Sequence, residues 1–226
     1  MKSLFVCVGG VGPWVRCAAC FWLLGLGLAP VESSARIGDT VGRFEQRLFN
    51  EGGGTRYTRH FLRAKLDDPV PPIQMREYFP QGHEVRVYYK KDYRKEANSQ
   101  DLDDGENPPG WDIYVVFVGG RSVMETYRRN GSAMTEHELN GLLHVQRGTS
   151  VWVRKEGEEV LPSELGYDFL REDGELRAVK GSGQVRNALT FYLVDLDEMI
   201  LRQRDQERAQ AEEEAQEKAP ASISGF

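Results

Sequence analysis

Four histidines, an acid-rich loop, three cysteines and a glycine-rich opening are the residues of this chain whose types and spacing invite chemistry. His137 and His144 share the stretch "MTEHELNGLLHVQRG", seven residues apart. On a helix that spacing separates them by about two turns, roughly 10 Å, too far for one ion to take both without outside ligands. Glu136 and Glu138 flank His137, but acids in a first helical turn are explained by capping and by the helix dipole before acid–base work is invoked. His60 and His83 stand alone in polar surroundings. No metal site is expected from the four histidines.

The stretch "DLDDGE", residues 101–106, hints at calcium, yet the alternation of acidic ligands fails at Gly105 and no glutamate closes the loop. "FVCVGGVG" imitates a strand entering a phosphate loop. Pro13 and Trp14 stand where its helix should begin, and no acid lies where a nucleotide ribose would need one. For nucleophilic catalysis there is no G-x-S-x-G elbow and no S-x-x-K. Ser122, Ser132, Ser150, Ser163 and Ser182 occupy turn-like or strand-edge contexts, and carboxylates are too abundant in this acidic chain to single out a pair. No catalytic residue and no cofactor are assigned.

Cys7, Cys17 and Cys20 are the only cysteines. They lie in an amino-terminal region with Lys2, Arg16 and the apolar run "CAACFWLLGLGLAP", followed by Ser33 and Ala35. A positive flank, a short apolar stretch and a small-residue exit describe a secretory signal, with cleavage expected between Ala35 and Arg36. Arg16, Pro13 and the glycines break the run into pieces shorter than the roughly 20 apolar residues a membrane span needs. "CAAC" is poorly placed for lipidation because the main apolar run follows Cys20, and a start at Val15 would give a more ordinary leader. The mature chain would then hold no cysteine and would depend on its core for stability. The whole chain has 29 basic and 35 acidic side chains, and losing Lys2, Arg16 and Glu32 makes it one unit more negative. That balance argues against nucleic acid and against attraction to anionic lipid.

The elements that position these residues form one α+β domain over 36–194, with short helices on a predominantly antiparallel sheet. "DTVGRFEQRLFN" is a helix capped by Asp39 or Thr40, with Val41, Phe44 and Leu48 on one face. "YTRHFLRAKLDDPVPP" is ambiguous between helix and loop and is expected to halt at Pro69, Pro71 and Pro72. "HEVRVYYKK" alternates as a half-buried strand. In the helix containing His137, Thr135 and Glu138 form a capping box, Met134 staples onto Leu139, and Leu139, Leu142 and Leu143 make the buried stripe. "SVWVRKEG", "LGYDFLREDGELRAVKG" and "NALTFYLV" supply further strands, the middle pair turning at Asp173-Gly174. Residues 195–219 form a charged helix whose only apolar turn is Leu196, Met199 and Ile200, and 220–226 form a disordered tail. Asp195 and Glu198 have capping-box spacing. The helix is expected to project into solvent. Self-association through it, as a coiled coil, is the competing reading.

"GWDIYVVFVGGRSVMETYRR" is a hairpin turning at Gly119-Gly120, with Val118 opposite Arg121, Phe117 opposite Ser122 and Val115 opposite Met124. That pairing places Trp111, Ile113, Val115, Phe117 and Met124 on the core face. Tyr114, Val116, Val118, Val123 and Tyr127 fall on the other, diluted by Asp112, Arg121 and Glu125. The second face is either a partner-binding surface, centred on Tyr114, Tyr127, Val116 and Val123, or a face covered by the terminal helix or by "RYTRHFLRAKL".

The "IGDT…F…RL" helix start and the aromatic "WDIYVVFVGGRSVMETY" hairpin resemble the small exported modules of the outer-membrane assembly lipoprotein and β-lactamase-inhibitor-protein type. The run from that hairpin through "MTEHELNGLLHVQRG" also resembles a group of uncharacterised exported bacterial proteins. The first resemblance implies helices packed on one face of an antiparallel sheet whose other face or edge contacts another protein. It carries over no functional residue, and this chain departs from it in lacking a usable lipid-acceptor cysteine and in adding the charged helix. The expected function is an exported, non-enzymatic protein-binding or envelope-assembly module in the periplasm or outside the cell. The alternatives are a secreted enzyme of unrecognised type and a structural protein that self-associates.

Overall fold

Runs of β-branched and aromatic residues between glycine turns build a single eight-stranded sheet in the computed structural model, which describes residues 37–51, 54–56, 65–91, 109–156 and 161–218. The strands are β1 Gly54–Arg56, β2 Glu84–Lys91, β3 Gly110–Val118, β4 Arg121–Asn130, β5 Trp152–Arg154, β6 Phe169–Arg171, β7 Leu176–Lys180 and β8 Ala188–Leu193. They lie in the order β1-β2-β3-β4-β8-β7-β6-β5, and every neighbouring pair is antiparallel. Among the described residues four α-helices accompany them: α1 Val41–Gln46, widening into a π-type turn at Arg47–Glu51, α2 Pro71–Gln74, α3 Glu136–Gln146 and α4 Val194–Glu217. The chain is α+β, as expected. The leader with its Ala35–Arg36 junction, the cysteines, His60, most of "RYTRHFLRAKL", the acid-rich loop and the 220–226 tail lie outside the described residues. Among the described residues no helix is long and apolar enough to cross a membrane.

The hairpin turns as expected, with Gly119 at φ 57° and Gly120 at φ 76°, angles that cost a side-chain-bearing residue but not glycine. Val118 pairs with Arg121 and Phe117 with Ser122. The register then shifts, so that Val116 meets Met124 and Val115 meets Glu125, leaving Val123 as a bulge. Side chains alternate with a period of two, so this one-residue slip exchanges faces along the rest of β4. Met124 joins Val116 on the second face, and Tyr127 joins Ile113, Val115 and Phe117 on the first. The expected pairing of Val115 with Met124 is corrected accordingly.

The first face is buried under α1 and α3, which contribute Phe44, Leu48, Leu139 and Leu143. Thr40 caps α1 by accepting from the Arg43 N–H at 3.4 Å. In α3 both halves of the capping box form, with Thr135 accepting from the Glu138 N–H at 3.2 Å and Glu138 accepting from the Thr135 N–H at 2.9 Å. Tyr88 of β2 is fully buried on this face and donates to Glu45 of α1 at 2.8 Å. With Val87 and Tyr89 buried on the opposite face, β2 is interior on both sides, not half-buried.

The second face is covered too. Val70, Ile73 and Phe79 pack on it around α2, and Leu196 and Ile200 of α4 pack beside them. Pro71 and Pro72 were expected to halt a helix. They open one instead, at the first helical positions, where no backbone N–H is needed and φ is already set. At the start of α4 the Asp195–Glu198 capping box does not form, because Leu193 of β8 leads straight into the helix without a side-chain cap. Asp197 turns inward instead and accepts from the backbone N–H groups of Glu164 and Leu165, each at 3.1 Å. Past Ile200 the α4 side chains are exposed or half-buried, as its charge pattern predicts.

Candidate functional site: a cavity between two helices and the sheet

α1 and α3 sit side by side on the first face without closing over it. The gap between them is a cavity of about 530 Å³, within the roughly 300–1,000 Å³ range of small-molecule sites. Trp111, Ile113 and Tyr127 form its floor, Phe44 and Leu48 one wall, and Leu142 and Val145 the other. Arg47, Lys90, His137 and Glu138 bring polar groups to it.

Gly141, exposed on α3, is part of the cavity's lining, and a Cβ built on it would meet nothing within 4 Å. Its φ is not positive, so the backbone does not require glycine there. Glycine inside a helix costs about 1 kcal/mol relative to alanine. The floor is held firmly. The Arg129 guanidinium lies over the Trp111 ring at 5.2 Å, pairs with Glu138 at 3.2 Å and donates to the Gly110 carbonyl at 3.0 Å. The Tyr127 hydroxyl donates to Glu125 at 2.6 Å. Gln146, at the end of α3, donates to the same carboxylate at 2.8 Å and accepts from the Ile37 N–H at 3.2 Å. One hydrogen-bonded chain therefore joins floor, helix end and amino-terminal segment.

Arg47 and Lys90 are the cations of the lining and Glu138 is its anion, which pairs with Arg129. Arg47 is anchored by an ion pair with the buried Asp39. The result is an apolar slot bordered by two basic side chains and one acidic one.

A second polar cluster lies under the opposite face. Lys65 pairs with Asp112 at 2.7 Å, Asn130 donates to Asp112 at 2.8 Å, Arg128 pairs with Asp68 at 2.8 Å, and the Tyr114 hydroxyl donates to Asp68. Burial first, then the negative charges of Asp112 and Asp68, push the Tyr114 hydroxyl far above its ordinary range. Neither this cavity nor the smaller one beside β5 reaches these groups. Their chemistry is spent on one another.

The residues expected to form an open partner face do not offer one. Tyr114 and Val116 are 0 % exposed and Tyr127 is 4 % exposed, while Val123 is half-buried against the cluster holding Val116 and Met124. Tyr127 has changed face through the bulge, and α2, Phe79 and the first turns of α4 occupy the space above Tyr114 and Val116. His137 and His144 are exposed and border different cavities. No group of three metal-ligating side chains occurs among the described residues. The cavity itself was missed in the sequence. Its one readable signal was Gly141, an unforced glycine inside an otherwise well-capped helix. Comparison with protein-family models, curated proteins and solved structures finds no match.

Proposed function

We propose that this chain is a non-catalytic binding module whose cavity takes an elongated apolar molecule ending in an anionic group. The observation that carries the reading is the apolar slot between α1 and α3, with the side chains of Arg47 and Lys90 on its lining. An apolar body would lie along Trp111, Ile113 and Leu142, and its anionic end would meet Arg47 and Lys90. Export, drawn from the apolar run and the Ser33–Ala35 exit, belongs to the same proposal and would place the module in the cell envelope or outside it.

Dodecanoate and dodecyltrimethylammonium, equal in chain length and opposite in head-group charge, test it by titration against tryptophan fluorescence and calorimetry. Dodecanoate should bind at least about tenfold more tightly, a difference of about 1.4 kcal/mol. Gly141→Phe should abolish binding by filling the slot, and Lys90→Gln should weaken dodecanoate alone. Equal affinity for both heads, or undiminished binding by Gly141→Phe, would overturn the reading.

A second reading, a protein-binding module, is favoured by a different part of the molecule, the open edge of the sheet at β5.

A further inference from the structure

β5 ends the sheet, and its outer side is unpaired among the described strands. The Glu172 N–H donates to the Val151 carbonyl at 2.9 Å, and the Lys155 N–H donates to the Asp168 carbonyl at 2.8 Å. Odd-numbered residues of this segment therefore face β6, and the backbone N–H and C=O groups of Trp152 and Arg154 face outward. The side chains around that edge differ by face. On one, Val151 and Val153 are 49 % and 53 % exposed, among the most exposed large apolar residues described. On the other, a cavity of about 310 Å³ opens beside the strand, walled by Leu143, Trp152 and Phe169, with Val151 reaching its rim from the strand end. Its ionisable lining residues are His144, Arg147 and Arg154, with no acid among them. Trp152 is fixed there, donating from its indole to the Leu143 carbonyl at 2.8 Å and packing on Phe191 at 5.6 Å between ring centroids.

We infer that this edge is a docking site for an extended acidic segment of another protein, which adds to β5 as a ninth strand. Strand addition supplies backbone hydrogen bonds along the edge and takes its specificity from alternate side chains. Side chains two apart on the incoming strand share a face. One set would lie against Val151 and Val153 and be apolar. The other would lie against Trp152, Arg154 and Arg147 and be acidic. Charge selects this occupant over a second copy of the chain, because pairing two β5 edges would bring two Arg154 side chains close together, and like charges opposed across strands are destabilising. Arg147 and Arg154 form no ion pair among the described residues, so an incoming carboxylate displaces no internal partner.

The probe is a capped hexapeptide alternating valine and glutamate, compared with its valine–lysine counterpart, each titrated into the ¹⁵N-labelled full chain and followed by NMR. The glutamate peptide should shift the amide signals of Trp152 and Arg154 and the Trp152 indole, and added salt should weaken it. The lysine peptide should bind at least about tenfold more weakly. Arg147→Glu with Arg154→Glu should reverse that preference; both side chains are exposed, and an unchanged circular dichroism spectrum verifies the fold. The inference is overturned if the glutamate peptide leaves these signals unmoved, if both peptides bind alike, or if the same amides shift with protein concentration alone, the signature of a second copy.

Discussion

Replacing Asp197 with alanine should be among the most damaging single changes this fold can suffer. The Asp197 side chain is 0 % exposed and its partner Arg177 only 3 % exposed. One carboxylate oxygen holds the Glu164 and Leu165 N–H groups, and the other pairs with Arg177. Arg177 also donates to the Pro162 carbonyl at 3.0 Å and lies over the Tyr167 ring at 4.8 Å. The substitution leaves a guanidinium in the interior without its counter-charge, which costs about 3–5 kcal/mol when one partner of a buried pair is removed. Two orphaned N–H groups would each cost about 1–3 kcal/mol if they stayed dry. These terms overlap, since water entering the vacated space relieves both, and the expected loss is about 4 kcal/mol, a large share of a typical 5–15 kcal/mol total. Asp197→Asn keeps an acceptor for the N–H groups and should cost less. Replacing the pair together, Arg177→Met with Asp197→Leu, removes the stranded charge and should be milder than Asp197→Ala alone. Urea unfolding of these proteins and of the single changes Arg177→Met and Asp197→Leu measures this, with an unchanged slope confirming that only stability has moved. A loss below about 1 kcal/mol for Asp197→Ala, or effects at the two sites that add within about 0.5 kcal/mol, would refute the idea that this pair pins α4 to the sheet.

Gly141→Ala should stabilise the chain by about 0.5–1 kcal/mol, because α3 gains helix propensity while the new Cβ meets no neighbour; a lower melting temperature would show that the space is not open. Deleting residues 206–226 removes exposed contacts such as Tyr78 to Glu207 and Arg208 to Glu164, and should move Tm by less than about 4 °C, the equivalent of about 1 kcal/mol. Ending the chain before Leu196 should instead abolish cooperative unfolding, because Leu196 and Ile200 cover the second face. Alkali should destabilise the fold from about pH 10 upward. Burial raises the Tyr88, Tyr114 and Tyr192 hydroxyls well above 10 in the folded state, while the unfolded chain ionises near 10, so their stabilisation is complete below that pH and is lost as pH rises beyond it, at up to about 1.4 kcal/mol per pH unit for each group. Ionisation of all nine tyrosines near pH 10 with the fold intact would contradict this.

The legible parts of the architecture were those written in neighbouring residues. Gly119-Gly120 marked its own turn, and Thr135 with Glu138 marked the start of α3, because turn and cap chemistry acts over two to four residues. The bulge at Val123 carried no such mark. It follows from how β4 fits β3 and β8 together, and "SVM" looks the same in either register. Asp197 gave no local sign of its role either, since Arg177 lies 20 residues away and Glu164 33 residues away. The cavity is assembled from α1, α3, β3 and β4, segments whose adjacency only the finished fold creates.

The second hairpin face shows why a polarity pattern alone misjudged exposure. Asp112 sits beside Tyr114 and Val116 along β3, and such dilution ordinarily signals solvent. Yet Asp112 is fully buried between Lys65 and Asn130, Thr126 shares a 2.8 Å hydrogen bond with Thr190, and Arg128 pairs with Asp68. Asp112, Thr126 and Arg128 each have a partner from a different element, which offsets much of the cost of leaving water. A strand with mixed composition is therefore compatible with two situations, a wet face or a dry face whose polar groups are paired. Only the partners separate them, and here they come from residues 65–68, 130 and 190. The proposed surface for a macromolecular partner is instead the backbone edge of β5, at one end of the strand order. Its openness follows from its place at the end of the strand order and not from the composition of "WVR".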